Sequence, residues 1–227
     1  MPARFLASPT QPTTSPSVAG VFRSEIGTQL TDEGKLPSVT TVARKGGIIC
    51  VYCGSKPGAG RIYASEAAAL GTAIADSGFG MVYGGGNVGL MGIVADSVMA
   101  GGGQVVGVIP QAFKQTEIAH QGLTKLIVVD DMHERKAAMA GRADAFIALP
   151  GGYGTLEELF EAMAWFQLGI HLKPVGLLNT SGYFDQLLAF LDHAVQEKFL
   201  HDRHRSLLRI ERDPRKLVDT LIAAMDA

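Results

Sequence analysis

Two glycine-rich segments are the parts of the sequence best suited to bind an anion. The first is GGGNVGLMG at residues 84–92, and the second is PGGYGTLEE at residues 150–158. Each follows a short apolar run typical of a buried strand and precedes a helical pattern. Glycine lets the backbone approach a ligand closely, and the N–H groups at the start of a helix favour a phosphate. We therefore predict a ligand that carries a phosphate.

The first segment also satisfies the pattern G-x-G-x-x-G, through Gly84, Gly86 and Gly89, so a dinucleotide site is an alternative. Such a site requires the motif after the first strand and an acidic residue about 20 positions later. Here the motif follows the second predicted strand, and the next strand ends at residues 109–111 without a carboxylate. A dinucleotide is therefore the weaker interpretation. Residues 54–56, Gly-Ser-Lys, also lack the ending of a Walker A loop.

The second segment carries two acidic side chains next to the predicted phosphate site. Thr155 and Glu158 match the T-x-x-E capping box, which predicts a helix that begins at Leu156. A cap does not need the preceding glycines, and carboxylates near a phosphate repel it. We therefore expect Glu157 or Glu158 to face the reacting part of the ligand.

One cluster of basic residues could balance the bound anion. It is MHERK at residues 132–136, which contains Arg135 and Lys136 and follows the predicted strand at 126–129. Basic side chains near the start of a helix oppose its dipole, and such local conflicts are typical of functional sites. We therefore expect this cluster to lie at the same edge of the sheet as the glycine-rich segments.

The segments between these motifs predict the fold that positions them. From Gly46 onwards short apolar runs alternate with amphipathic segments, which predicts an α/β fold with a doubly wound, Rossmann-like parallel sheet. Ligands of such sheets bind beyond the carboxyl ends of the strands. The predicted strands are Ile48–Cys53, Met81–Tyr83, Val105–Ile109, Leu126–Val129, Ala145–Leu149 and Val175–Leu178. The predicted helices are Ile62–Ser77, Leu90–Ala100, His133–Gly141, Leu156–Leu168, Phe184–Glu197 and Pro214–Met225.

Composition and charge limit the classes of protein that fit. The chain has 227 residues, 28 of them glycine, with 20 basic and 22 acidic side chains and a formal net charge of −2. This balance argues against a nucleic-acid binder that depends on counterion release. The sequence has no apolar stretch long enough to cross a membrane, and its first residues lack the apolar core of a secretory signal. We expect a cytoplasmic protein that contacts neither nucleic acid nor membrane.

The chain divides into two parts by composition. Residues 1–44 are rich in Pro, Ser and Thr, which predicts a flexible N-terminal extension, and residues 45–227 form the single predicted domain. Cys50 and Cys53 both lie in the first predicted strand. Because residues three apart in a strand point to opposite faces, we predict that the two thiols form neither a disulfide nor a metal site.

Taken together, the motifs resemble the Lonely Guy family of cytokinin riboside 5′-monophosphate phosphoribohydrolases, long described as possible lysine decarboxylases. The resemblance is carried by VYCGS at residues 51–55, GGGNVGLMG, MHERKAAM at residues 132–139 and PGGYGTLEE, and it extends from about Ile48 to Ala224. It implies hydrolysis of the N-glycosidic bond of a nucleoside 5′-monophosphate, such as AMP or an N6-substituted AMP, in cytokinin biosynthesis. It also implies a nucleotide-binding homodimer that needs no metal and no organic cofactor.

The resemblance assigns Arg135 and Glu158 as the catalytic pair. The residues that it implies for substrate binding are Glu117, Lys136, Gly151, Gly152, Tyr153, Gly154, Thr155, Leu156, Glu157, Gly54, Ser55, Gly85 and Gly86. Cleavage of the bond develops oxocarbenium character on the ribose, which a carboxylate at Glu158 can stabilise while it activates water. We expect Glu157 to bind the ribose hydroxyls, and Arg135 to anchor phosphate or ribose and keep Glu158 ionised.

Three other functions are open alternatives at this point. A non-catalytic carrier or sensor of a phosphorylated ligand is one, because molybdenum-cofactor carrier proteins resemble this fold and its glycine loops. Pure binding, however, would not need the Arg135–Glu158 pair. An NAD-linked oxidoreductase is weaker for the reasons given above. Lysine decarboxylation is disfavoured because nothing in the sequence marks a lysine that would carry pyridoxal phosphate.

Overall fold

The computed structural model describes residues 46–113 and 119–226, in which strands and helices alternate. The predicted extension at residues 1–44 and the predicted substrate contact Glu117 lie outside the described residues. The strands are β1 (Ile48–Tyr52), β2 (Gly80–Tyr83), β3 (Val105–Pro110), β4 (Lys125–Val129), β5 (Ala145–Ala148), β6 (Val175–Leu178) and β7 (Leu208–Glu211). The helices are α1 (Arg61–Asp76), α2 (Gly89–Ala100), α3 (Met132–Arg142), α4 (Tyr153–Gln167), α5 (Asp185–Gln196), α6 (Asp202–Arg205) and α7 (Pro214–Met225).

All seven strands form one parallel sheet in the order β4-β3-β2-β1-β5-β6-β7. The chain builds outwards from β1 to β4, returns to place β5 on the other side of β1, and then builds outwards to β7. The direction of winding therefore reverses between β1 and β5, where the loops that follow these strands separate and leave a crevice. The predicted doubly wound, Rossmann-like α/β fold is confirmed.

The sheet is covered on both faces, which explains why its central strands are continuous apolar runs. Ile49 and Val51 of β1 pack with buried residues of α1, α2 and α7 in one cluster. Cys50 and Tyr52, the alternate residues of the same strand, pack with buried residues of α3 and α4 in the other. Cys53 lies against the first cluster, so the predicted divergence of the two thiols is confirmed, and both cysteines are free.

The predicted element bounds agree with the structure for most of the chain, and β6 and α7 agree to the residue. Two elements were missed, the edge strand β7 and the single-turn helix α6. Strand β7 has the sequence LRIE, in which charged and apolar residues alternate, and one charged residue, Arg209, is exposed. Polar residues are common on edge strands because one side of such a strand faces water. A prediction based on continuous apolar runs does not detect such an alternating strand.

Helices α1 and α2 approach each other closely at Gly71. A Cβ atom added there would lie 2.6 Å from the Cβ of Ser97 and 2.7 Å from the carbonyl oxygen of Val94. Ala is normally preferred to Gly inside a helix, so the absence of a side chain at Gly71 serves the packing of the two helices.

We expect Gly71→Ala to lower the free energy of unfolding by about 2 kcal/mol, because the added methyl group forces the two helices apart. The matched control is Gly141→Ala in α3, where an added Cβ meets nothing within 4 Å. That change should raise the free energy of unfolding by about 0.5 kcal/mol, because alanine lowers the conformational entropy of the unfolded chain. Urea titrations of both variants measure the difference, and equal stabilisation by both would contradict the packing argument.

Candidate active site

Helix α3 brings Arg135 to the crevice, and its start is fixed by an acidic cap. The carboxylate of Asp131 accepts a hydrogen bond of 2.8 Å from the N–H of Glu134, and Glu134 accepts one of 3.0 Å from the N–H of Asp130. The bond from Glu134 holds the pKa of Asp131 below its usual value. The helix therefore begins at Met132, one residue before the predicted start. The D-x-x-E pattern at residues 131–134 is the sequence signal for this cap.

Arg135 points inwards from the first turn of α3 and is 7% exposed. Its Nη2 atom lies 3.9 Å from Oε1 of Glu158, which projects from α4 and is 9% exposed. The guanidinium group also lies directly against the backbone of Gly84. The structure thus brings together the two side chains predicted as a catalytic pair, although they are 23 positions apart in sequence.

Helix α4 begins three residues earlier than predicted, so the proposed capping box is wrong. Its N-cap is Gly152, which has extended backbone angles (φ −97°, ψ −150°), and Thr155 is a buried residue of the first turn. The Thr155 hydroxyl packs against Gly151, where the absence of a side chain leaves it room. Glycine is also accepted at the N-cap, and in this helix Gly152 occupies that position instead of the predicted Thr155. Glu158 is consequently not part of a cap and lies in the second turn, where it faces the crevice.

A pocket lies at the carboxyl ends of the central strands, and its lining comes from loops and helices that follow β1, β2, β4 and β5. Among the lining residues are most of the predicted site residues, namely Gly54, Ser55, Arg135, Gly152, Tyr153, Gly154, Thr155, Glu157 and Glu158. Sequence analysis missed five others, Val51, Cys53, Gly84, Met91 and Met132. All five belong to the motifs quoted above, and that membership was the available signal.

Five predicted contacts among the described residues lie outside this pocket, and one of them, Lys136, is treated separately below. Gly151 lines the adjoining part of the crevice, where its carbonyl oxygen accepts a hydrogen bond of 2.7 Å from the Tyr183 hydroxyl. Leu156 is half-buried beneath the first turn of α4, and Gly85 and Gly86 are buried behind Gly84. Their predicted contact with substrate stays a prediction.

At the start of α2, the first glycine-rich segment is covered by the backbone of the loop that follows β1. The N–H of Leu90 donates a hydrogen bond of 3.0 Å to the carbonyl oxygen of Gly54. A Cβ atom on Gly89 would lie 2.5 Å from the carbonyl oxygen of Ser55, and φ at Gly89 is +61°. The loop after β1 therefore packs on the start of α2, whereas the start of α4 opens into the pocket. The two glycine segments, which look alike in sequence, face different partners.

The start of α4 has the features of a phosphate site. The first N–H groups of a helix have no acceptor within the helix, and its dipole favours negative charge there. Cβ atoms added to Gly152 or Gly154 would meet nothing within 4 Å, so protein packing does not require glycine at either position. Glycine inside a helix costs about 1 kcal/mol relative to Ala. Room for a ligand explains both residues.

Lys136 is held by two carboxylates of α4 rather than pointing at the pocket. Its Nζ atom donates hydrogen bonds of 2.5 Å to Glu157 and 3.0 Å to Glu161. The bond to Glu157 is the main reason why the pKa of Lys136 is raised. Lys136 therefore ties α3 to α4, one residue from Arg135, and it orients the Glu157 carboxylate at the rim.

Cys53 lines the pocket but is not suited to act as a nucleophile. Burial, followed by the negative charge of Glu158, raises the pKa of its thiol. The thiolate is the reactive form of cysteine, so Cys53 contributes a neutral wall. Within the described ranges, no group of three or more His, Cys, Asp and Glu side chains is placed to hold a metal ion.

Comparison with known proteins gives a family match and similar relatives. Residues 91–221 match the family model described as possible lysine decarboxylase. A probable cytokinin riboside 5′-monophosphate phosphoribohydrolase of Oryza sativa subsp. japonica, LOGL2, is 50% identical over 173 residues, which cover 76% of this chain and 71% of the relative. The cytokinin riboside 5′-monophosphate phosphoribohydrolase LOG1 of Arabidopsis thaliana is 49% identical over 173 residues, which cover 76% and 81%.

Solved structures share the fold. The molybdenum cofactor binding protein of Rippkaea orientalis matches with a TM-score of 0.60 and 26% identity over 81% of this chain and 99% of that one. The molybdenum cofactor carrier protein of Chlamydomonas reinhardtii has a TM-score of 0.62 at 22% identity over 81% and 100%, which shows the fold alone.

None of the helices in the described part of the chain is long and apolar enough to cross a membrane.

We expect Gly154→Ala to weaken phosphate binding by about tenfold, because the added methyl group occupies ligand space. The same change should leave the protein at least as stable as wild type, since Ala is the better helix residue. The measurement is the shift in unfolding temperature on addition of inorganic phosphate. Gly141→Ala is the control, and an unchanged phosphate shift in Gly154→Ala would contradict a phosphate site at the start of α4.

Proposed function

We propose that this chain, which belongs to the family described as possible lysine decarboxylase, is a nucleoside 5′-monophosphate phosphoribohydrolase. It hydrolyses the bond between C1′ of the ribose and the base, and it releases free base and ribose 5-phosphate. The observation that carries the proposal is the approach of Arg135 to Glu158 beside the open start of α4. Identity of about 50% to relatives named for this activity supports the same reaction, with AMP or an N6-substituted AMP as substrate in cytokinin biosynthesis.

In the proposed complex the substrate phosphate binds at the start of α4. Gly152, Gly154 and the buried Thr155 surround it, and the backbone N–H groups of the first turn donate hydrogen bonds to its oxygens. Glu158 lies in the next turn, so the distance from phosphate to carboxylate is set by one rigid helix. The ribose lies between them. Because the phosphate contributes to binding in this geometry, we expect the enzyme to prefer a 5′-phosphorylated nucleoside to a free one.

The Glu158 carboxylate acts at C1′ of the ribose. As the bond to the base breaks, its electron pair leaves with the base and positive charge develops on the ribose ring. The carboxylate stabilises that charge and accepts a proton from the attacking water, whose oxygen bonds to C1′. The second hydrogen of the water stays on the new C1′ hydroxyl, and the proton held by Glu158 passes to a ring nitrogen of the departing base, which returns the carboxylate to its charged form. Water is thus divided between the two products.

Arg135 keeps Glu158 in the charged form that this step requires. A guanidinium group stays protonated at all relevant pH values, and its charge favours a carboxylate within about 4 Å. We propose that Arg135 also anchors the phosphate or ribose of the substrate through its forked guanidinium group. We propose that Glu157, oriented by Lys136, binds the ribose hydroxyls, and that the exposed ring of Tyr153 at the mouth stacks on the base.

A non-catalytic carrier of a phosphorylated cofactor is the weaker alternative. It is supported by the likeness to molybdenum cofactor binding proteins, at 26% identity or less. Binding alone gives no reason for a buried carboxylate beside the proposed phosphate site, because like charges repel.

We also propose that the protein is a cytoplasmic homodimer. The two cysteines are free, which agrees with a reducing compartment. A groove between α4, α5 and α6 is lined by Phe160, Met163 and Leu200, among others. Large apolar side chains around it, including Phe190 and Phe199, are 62% and 91% exposed. Apolar patches of this kind mark protein–protein contacts, and we assign this face to a second copy of the chain.

We expect wild-type protein to release adenine from AMP and N6-prenyladenine from the corresponding monophosphate, and to act poorly on adenosine. Glu158→Gln and Arg135→Ala should each lower the rate of base release by about 100-fold or more. The control is Asp219→Asn, which removes an exposed carboxylate from α7 and should leave the rate unchanged. Chromatography of free base measures all of these reactions.

Two outcomes would contradict the proposal. If folded Glu158→Gln and Arg135→Ala release base at the wild-type rate, the assigned mechanism is wrong. If wild-type protein releases no base from any nucleoside monophosphate but binds a molybdenum-containing pterin, the chain is a carrier.

A further inference from the structure

Gly84 is the residue on which the Arg135 side chain rests. A Cβ atom added to Gly84 would lie 2.9 Å from Cζ of Arg135 and 3.5 Å from its Nε atom, and it would come closer still to Nη2. Gly84 is not among the glycines with positive φ. Its backbone conformation is therefore open to any residue, and space is the reason why glycine is needed here.

The backbone around Gly84 cannot move away to make room. The buried hydroxyl of Tyr83 donates a hydrogen bond of 3.1 Å to the carbonyl oxygen of Gly86. The N–H of His120 donates one of 3.0 Å to the carbonyl oxygen of Gly85, and Gly86 pairs with Ala119 in an antiparallel bridge. These bonds hold Gly85 and Gly86, the two residues that follow Gly84 in the loop after β2.

The Arg135 side chain cannot move away either without leaving its place in the pocket. The Nη2 atom of the guanidinium group lies against the Gly84 backbone and 3.9 Å from the Glu158 carboxylate. It is almost completely buried, and the capped first turn of α3 fixes its Cα. A methyl group on Gly84 would therefore push the guanidinium group into a different position relative to Glu158.

We infer that Gly84 is a positioning residue, whose missing side chain forms the slot that holds the Arg135 guanidinium group within reach of Glu158. The slot assigns to the first glycine-rich segment a role other than phosphate binding, since Gly84 positions the arginine and Gly89 makes room for the loop after β1. The catalytic consequence of the slot rests on the proposed function. The position of the guanidinium group does not, so it can be tested separately.

We expect Gly84→Ala to lower kcat for AMP cleavage by about 100-fold, the effect of displacing a catalytic group by about 1 Å. KM should change less than kcat, because the N–H groups at the start of α4 are untouched and still bind the phosphate. Gly141→Ala, on the same helix as Arg135 but with open space around it, is the matched control and should keep wild-type kinetics. An unchanged kcat in folded Gly84→Ala would overturn the inference.

A second readout reports on the guanidinium group without any reaction. The Nε–H signal of Arg135 in a nitrogen–proton NMR spectrum is identified by its loss in Arg135→Lys. We expect this signal to shift in Gly84→Ala and to stay in place in Gly141→Ala. A fall in kcat without a shift of the signal would overturn the slot. If the wild-type protein cleaves no nucleotide, the proposed function fails while the signal still tests the slot.

If the single variant does not fold, Gly84→Ala is combined with a smaller side chain at position 135. Lysine lacks the planar fork of arginine, so it leaves the slot free for the added methyl group. We expect Gly84→Ala combined with Arg135→Lys to unfold at the same urea concentration as Arg135→Lys alone. If the double variant is as unstable as Gly84→Ala, the clash does not involve Arg135 and the inference is wrong.

Discussion

Two opposite charges are held 3.9 Å apart, at Arg135 and Glu158, in a pocket that leaves about a tenth of each side chain exposed. Removing charges from water is unfavourable unless they are compensated, so this arrangement has to be supported by the surrounding structure. The separation between Nη2 and Oε1 is longer than a direct hydrogen bond. The capped start of α3, the glycine start of α4 and the slot at Gly84 all serve this separation.

The sheet topology explains how residues so far apart in sequence meet. Winding reverses between β1 and β5, so the loops after these strands diverge and leave the crevice between them. Helix α4 follows β5 directly and points its first turn into that space. Helix α3 follows the edge strand β4 and reaches the same pocket across β3 and β2, which is why Arg135 passes over the backbone of Gly84. A side chain at position 84 would occupy the space through which Arg135 reaches the pocket.

The periodicity of apolar residues was sufficient to predict the sheet and most helices, because central strands buried on both faces differ clearly from amphipathic helices. It failed at β7, whose edge position admits charged residues, and at the start of α4. There, Thr155 and Glu158 formed a valid capping pattern, but the strand leads directly into a helix at Gly152. Local patterns cannot decide between two acceptable N-caps, since the choice depends on packing against Gly151.

The pairing of functional side chains was predictable only in part. The motifs identified Arg135, Glu158 and the glycines, whereas they did not reveal that Lys136 binds Glu157 and Glu161 on α4. Nor did they separate the two glycine-rich segments, whose surroundings differ. Such distinctions depend on contacts across the sheet, and a single sequence does not contain that information.

The central claim is that Arg135 and Glu158 act as one unit on the N-glycosidic bond of a nucleoside 5′-monophosphate. The most direct measurement is kcat for AMP cleavage by Arg135→Ala, Glu158→Gln and the double variant, each checked for folding. If the arginine acts through the carboxylate, the double variant loses no more than the more damaged single variant. Losses that multiply in the double variant would show that the two residues act independently and would contradict the account.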